Sequence, residues 1–159
     1  MIKYAAHRYD DYLNLKISSS LWFYLLYGVR HLVFFSLMKL NPDYVAYVDL
    51  LNAQSNWLFI ITDFPAALVL LATGHRLPEA LGVMRWIWNH GKYMLVSSYV
   101  FGIFIFLYLN QSLIKNPFTD NNILLITILC LDILIIIFII KSELIKDIFS
   151  EFPPKPIKN

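Results

Sequence analysis

The chain has 159 residues, a single cysteine and a formal net charge of +2. Hydrophobic residues make up 58% and charged residues 15%, against about 25% charged in soluble domains, and the mean hydropathy is +0.59. That balance points to a small integral membrane protein. It excludes a strongly basic nucleic-acid surface, and one cysteine excludes an internal disulfide or a CxxC pair.

Residues 1–16 are polar and aromatic, with Lys3, Arg8, Asp10, Asp11 and Lys16. The apolar run that follows is longer than a signal h-region and has no small-x-small cleavage site after it, so it reads as a retained span. The first membrane helix is expected over 17–38. Ser18, Ser19 and Ser20 open it, and Trp22, Phe23 and Tyr24 suit the headgroup layer. Arg30 and His31 stand near its middle, where an arginine costs about 2.5–3.5 kcal/mol on insertion scales. The rest of the fold must offset that cost.

Residues 39–56 form a first loop, with a turn at Asn41-Pro42-Asp43. Tyr44, Val48 and Leu51 are spaced for either a short interfacial helix or an ordered loop. The second membrane helix is expected over 57–73. It contains Asp63 and also Pro65, which removes the bond to the Ile61 carbonyl and kinks a helix. In the second loop, 74–92, Pro78-Glu79 is a helix start, and Leu77, Leu81, Met84 and Trp88 share a face. The expectation is a basic interfacial helix, with Trp22, Trp57, Trp86 and Trp88 as interface anchors.

The third membrane helix is expected over 93–109, where Ser98 and Gly102, four apart, permit close helix packing. A turn-rich loop leads to the fourth, over 123–140, almost all Ile, Leu and Phe apart from Thr127, Cys130 and Asp132. Cys130 reads as a small buried hydrophobe. The tail, 141–159, should continue the helix for two or three turns until Pro153-Pro154. No internal repeat is visible.

Topology follows from lysine and arginine counts. The N-terminal segment, second loop and tail together carry ten, and the first and third loops carry one each, Lys39 and Lys115. Both termini are therefore expected in the cytoplasm. At about 1.5 Å per residue, Arg30, Asp63 and Asp132 fall at similar depth. Arg30 should face the interior and pair with Asp63, Asp132 or both. Two aspartates against one arginine leave an excess negative charge, so one carboxyl would stay protonated or take a proton or hydrogen bond from His31. Three readings of this charge cluster are open: a salt-bridge network that fixes helix register, a docking point for a partner helix, and an ion, proton or substrate site.

Nucleophile motifs, phosphate loops and metal-ligand spacings do not occur in the sequence. Of His7, His31, His75 and His90, only His31 is at membrane depth, so a bis-histidine haem within this chain is excluded. No cofactor or metal is expected. Extramembrane segments are each under twenty residues, too short for a soluble catalytic domain.

Several residues together resemble the YfeZ-like small inner-membrane proteins of Gram-negative bacteria. They are Tyr9-Asp10-Asp11 and Leu15-Lys16, then Trp22 and Arg30 in the first helix. Pro42-Asp43, Pro65 and Trp88-x-x-Gly91-Lys92 complete the set. The similarity covers roughly residues 9–110, and the proline usual after the lysine is replaced by Ile17-Ser18-Ser19. The resemblance implies a four-span bacterial inner-membrane protein and no activity.

The sequence thus predicts one all-α domain, a four-helix transmembrane bundle with short interfacial helices in its loops. The function expected first is a non-enzymatic accessory or assembly subunit of a larger membrane complex, with the lipid bilayer and a membrane protein or a second copy as partners. The alternative is a small transporter or ion-coupled conduit, with Asp63 carrying the exchangeable charge and Arg30 its counter-ion. Charge balance gives no reason to expect nucleic acid.

Overall fold

A computed structural model of the chain describes residues 3–10, 12–40, 57–111, 115 and 120–154. The expected interfacial helix around Tyr44, Val48 and Leu51 lies outside the described residues, as does most of the third loop. The described residues form seven α-helices and one 3-10 turn, Ala6–Arg8. The helices are α1 (Ser19–Gly28), α2 (Arg30–Leu40), α3 (Trp57–Gly74), α4 (Gly82–Asn89), α5 (Gly91–Leu109), α6 (Asp120–Lys141) and α7 (Glu143–Ser150). Among these residues the only β-pairing is an isolated bridge between Tyr9 and Leu15.

Three helices are long and apolar enough to cross a membrane, α3, α5 and the Asn122–Lys141 part of α6. A fourth crossing exists if α1 and α2 are one bent span. The 18 residues of α3 give about 27 Å of helix, close to a hydrocarbon core of about 30 Å.

The first span corrects the sequence reading of one continuous helix. Ser18 caps α1, its hydroxyl accepting from the Leu21 N–H at 3.2 Å. The helix then stops at Gly28, and α2 leaves at 52°. Val29, at φ −106° and ψ 14°, is the hinge. No proline marks it. Gly28 lies close against α3: a Cβ there would sit 3.1 Å from the Ala66 Cβ.

Helices α3 and α5 pack along their length, with α1 and α2 against α3 and α6 against α5. Pro65 sits inside α3 without ending it. One turn away the Ser98 hydroxyl of α5 donates to the Thr62 carbonyl at 2.6 Å, the kind of neighbouring bond that lets a membrane helix tolerate proline. The apolar core has two parts. The larger joins Leu21, Leu25, Ala66, Leu95, Ile135 and Ile139, and the smaller joins Phe59, Phe106 and Leu125. Along α3, α5 and α6 the polar residues Asp63, Ser98 and Asp132 fall between the two.

At one end of the molecule the N-terminal segment, second loop and tail fold into a cap. The tail does not continue α6, as its sequence suggested. Ser142 turns the chain and caps α7, accepting from the Ile145 N–H at 3.2 Å. Helix α7 then buries Ile145, Ile148 and Phe149 against α4 and α5. Phe149 lies so close to Gly91 that any Cβ there would collide with its ring. Helix α4 begins at Gly82, after the Pro78-Glu79 turn, and Leu77 and Leu81 are exposed while Ile87 and Trp88 are buried.

Trp88 is correspondingly not at the headgroup surface: it is 0% exposed. Its indole N–H lies 3.0 Å from both the Ile148 and Glu151 carbonyls, and Phe149 packs 4.9 Å from it. Trp22, Trp57 and Trp86 are exposed. Arg76 lies over the Trp88 ring and donates to the Leu15 and Glu151 carbonyls, while Arg85 donates to those of Pro153 and Pro78. Burial lowers the proton affinity of Arg76 from its ordinary value. Cys130, expected inside, is exposed on α6. In a helix that is apolar all round, exposure to lipid costs such a residue little.

The N-terminal segment is tied to α7 by Lys3 and Tyr4, which reach Asp147 at 2.8 Å each. Hydrogen bonds from Lys3 and then Tyr4 hold the Asp147 carboxyl below the usual carboxylate range, and the bond to Asp147 raises Lys3 above the usual lysine value. A lowered carboxylate stabilises above its unfolded value and loses that contribution as pH falls through the folded one. A raised lysine contributes below its unfolded value and loses the contribution as pH rises through the folded one. The tie is therefore complete between roughly pH 5 and 9. Hydrogen exchange of residues 4–9, corrected for intrinsic rates, should increase as pH falls below about 4. Asp147→Ala should raise exchange at neutral pH and remove that dependence. Unchanged protection in the variant would show that the tie is idle.

Candidate functional site

Breaking a helix in the middle of a bundle exposes backbone groups where no water reaches them. The charged residues meet that demand. Leu32, at the third position of α2, lacks an intrahelical partner for its N–H, and Asp63 of α3 supplies one: Oδ2 accepts from it at 2.9 Å. A carboxylate at that place also complements the positive end of the α2 dipole. Asp63 Oδ1 is 2.9 Å from His31 Nδ1. On the C-terminal side of α1, the Tyr27 carbonyl accepts from Arg30 Nη1 at 3.2 Å.

Arg30 and His31 are adjacent and diverge by about 100° around a helix. They reach different partners. Arg30 Nη2 donates to Asp132 Oδ2 of α6 at 2.9 Å, while His31 takes Asp63. Both aspartates and His31 are almost wholly buried, at 2% exposure for Asp63 and 3% for Asp132 and His31.

Aromatic and small residues hold these groups in place. Arg30 lies 4.1 Å over the Tyr27 ring, and Tyr27 stacks on Tyr99. The Tyr99 hydroxyl donates to the Tyr24 carbonyl at 2.6 Å, tying α5 to α1. Phe59 stacks on His31 with ring centroids 4.4 Å apart. Ser98 and Gly102 line the site from α5, but Gly102 is not where the helices touch most closely. A Cβ there meets only the Thr62 hydroxyl oxygen, at 3.9 Å.

The four ionisable side chains enclose a cavity of about 10 Å³, also lined by Gly28, Thr62, Ser98, Tyr99 and Gly102. That is room for about one water. Three buried atoms of the cluster have no hydrogen-bond partner: Arg30 Nε, His31 Nε2 and Asp132 Oδ1. Among the described residues no group of three histidine, cysteine or acidic side chains could hold a metal ion. The arrangement can bind water, hold a proton and bridge helices. It has no room for an organic substrate.

Residues 4–151 match the family described as Protein of unknown function (DUF2919). The chain belongs to that family. No curated protein matches the chain. No solved structure matches it either. The description of DUF2919 assigns no activity, so function must be argued from the site.

Sequence reasoning singled out Arg30, His31, Asp63 and Asp132 by depth, and the structure brings these four together. It missed Tyr27, Thr62, Tyr99 and the Leu32 N–H. Tyr27, one turn before Arg30, carried a readable signal, because residues three apart on a helix are neighbours. The N–H carried none, because it becomes an orphan only once the helix breaks.

Removing one member of a buried ion pair leaves the other charge uncompensated, at about 3–5 kcal/mol. Asp132→Ala and Arg30→Ala should each destabilise the protein by that order in thermal melts in detergent. The double variant Arg30→Met/Asp132→Leu should recover most of the loss. A double variant as unstable as the sum of the singles would show that the two side chains are not coupled.

Proposed function

We propose that this DUF2919 protein is a four-span protein of the bacterial inner membrane. Its N-terminal segment, second loop and tail lie in the cytoplasm, and it acts as a non-enzymatic accessory or assembly subunit of a larger membrane complex. One observation carries the reading. The intramembrane charges are paired with each other and with backbone groups of this chain, leaving a cavity of about 10 Å³. Such a cluster fixes helix register and processes no organic substrate.

The orientation rests on the ten basic residues of the three segments, whose described parts meet at one end in the cap. The bacterial inner membrane rests on the resemblance carried by Tyr9-Asp10-Asp11, Trp22, Arg30 and Pro65. Within the cap, Asp10 builds a turn, its carboxylate accepting from the Tyr12 and Asn14 N–H groups.

A second reading, an ion- or proton-coupled conduit, is favoured by the unpartnered His31 Nε2 and Asp132 Oδ1 beside the cavity. On this reading the exchangeable charge belongs to His31 and Asp132 rather than to Asp63. Both oxygens of Asp63 are engaged, and Arg30 is the counter-ion of Asp132 instead.

Purification of the tagged protein from its own host in mild detergent, with cross-linking and mass spectrometry, tests the first reading. A stoichiometric membrane-protein partner is expected. A clean monomer or homo-oligomer after cross-linking overturns the accessory role. Reporter fusions after Gly74 and after Ile140 should both report the cytoplasm, and fusions after Leu40 and Leu109 the opposite side. The reverse pattern overturns the orientation.

A further inference from the structure

The ionised cluster holds two carboxylates and one guanidinium. With a neutral imidazole it carries one negative charge in excess, and a single monovalent cation neutralises it. We propose that this cation is a proton, exchanged between His31 Nε2 and Asp132 Oδ1 across the one-water cavity. The proposal rests on the site of the second reading, although it concerns binding of a proton and requires no transport.

The hydrogen-bond inventory selects those two atoms. Asp63 receives Leu32 N–H on Oδ2 and faces His31 Nδ1 through Oδ1, so each of its oxygens already has a partner within the chain. Asp132 Oδ2 is bound by Arg30. Apart from Arg30 Nε, which is a donor and takes up no proton, what is left is one acceptor oxygen on α6 and one ring nitrogen on α2, both buried, both unpartnered, and both on residues that line the cavity. A proton on either atom gives a neutral cluster. In transfer an O–H bond on the Asp132 side breaks as the N–H bond at Nε2 forms, a water carrying the proton between, and no electron changes place.

The surroundings suit a cationic ring as well as a neutral one. Phe59 lies flat on His31, and an aromatic face carries negative charge. The ionisable and polar groups facing the site are Arg30 and Tyr27 from the first span, Thr62 and Asp63 from α3, Ser98 and Tyr99 from α5, and Asp132 from α6. A sodium ion would need several oxygen ligands. Only one carboxylate oxygen is free, and the cavity has room for a single water.

Histidine-labelled (15N) protein in phosphatidylethanolamine–phosphatidylglycerol vesicles tests this, with the His31 ring signals assigned by their loss in His31→Gln. The wild type, scanned over about pH 5 to 8 where an ordinary imidazole changes charge, should show Nε2 both protonated and bare. Asp132→Asn should lower the ratio of doubly to singly protonated His31 about tenfold or more, as expected for loss of a neighbouring negative charge. Asp132→Glu should restore it. Gly102→Val fills the cavity without removing a charge and should slow the exchange at least tenfold on the same basis of a lost water bridge. A ring with Nε2 bare throughout that range overturns the proposal. So does a ratio that Asp132→Asn leaves unchanged, or signals that move with sodium concentration at fixed pH. If Asp132→Asn does not fold, the Gly102→Val rate decides. Loss of a partner protein in purification would leave these readouts unaltered, so failure of the accessory role and of this proposal are separable.

Discussion

A helix end placed inside the apolar part of a bundle is the constraint on which this structure depends. Bulk water does not reach there to satisfy a freed N–H or carbonyl. The 52° break at Val29 creates both kinds of orphan, and side chains on two helices answer them. Asp63 receives the Leu32 N–H, and Arg30 covers the Tyr27 carbonyl. Arg30 and Asp63 thus serve the backbone first. Arg30 is then paired with Asp132, and Asp63 is hydrogen-bonded to His31, which commits α6 and α3 to fixed positions around the break. The cost of partly burying an arginine among apolar helices is offset by a carboxylate, a carbonyl and an aromatic face acting together.

The same logic extends to α5, which carries no charge into the site. Its Ser98 donates to the Thr62 carbonyl close to the bond that Pro65 removes, and its Tyr99 donates to the Tyr24 carbonyl of α1. Each side chain ties α5 to a backbone carbonyl beside an irregular stretch of a neighbouring helix. Two of the helical segments are irregular, the α1–α2 pair broken and α3 holding a proline, and α5 stands against both.

The long apolar runs were legible because a span needs only length and hydropathy. The depth match of Arg30, Asp63 and Asp132 was legible because helical rise is constant. Which aspartate takes Arg30 was not, since it depends on rotation of α2 after the break. The break itself has no proline, and Gly28 alone does not distinguish a hinge from close packing. In the tail, Ser142-Glu143 followed by Ile145, Ile148 and Phe149 is a cap with an apolar stripe at helical spacing. That signal was present, but the preceding Ile-rich run made continuation of α6 the simpler reading. Trp88 was misplaced for a related reason. Tryptophan suits both an interface and a core, and only the carbonyls of Ile148 and Glu151, sixty residues away, decide between them.

Helix α6 shows why polar contacts rather than apolar ones set this architecture. It is Ile- and Leu-rich on every side, and most of its surface is exposed in the isolated chain. In lipid such a helix gains little from burying one apolar face rather than another, because the tails are as apolar as its neighbours. Rotation or sliding of α6 against α5 would cost little if packing alone opposed it. Asp132 removes that freedom: any register other than the observed one separates it from Arg30 and leaves two charges unpaired in an apolar medium. At the end of α6 the Ser142 turn, with Lys92 donating to the Ile140 carbonyl at 2.9 Å, fixes the same helix a second time. One anchor is buried and insulated from salt, the other lies in the exposed cap and is screened by it. The position of α6 is therefore held at two places of different character, an ion pair buried in the bundle and a turn in the cap.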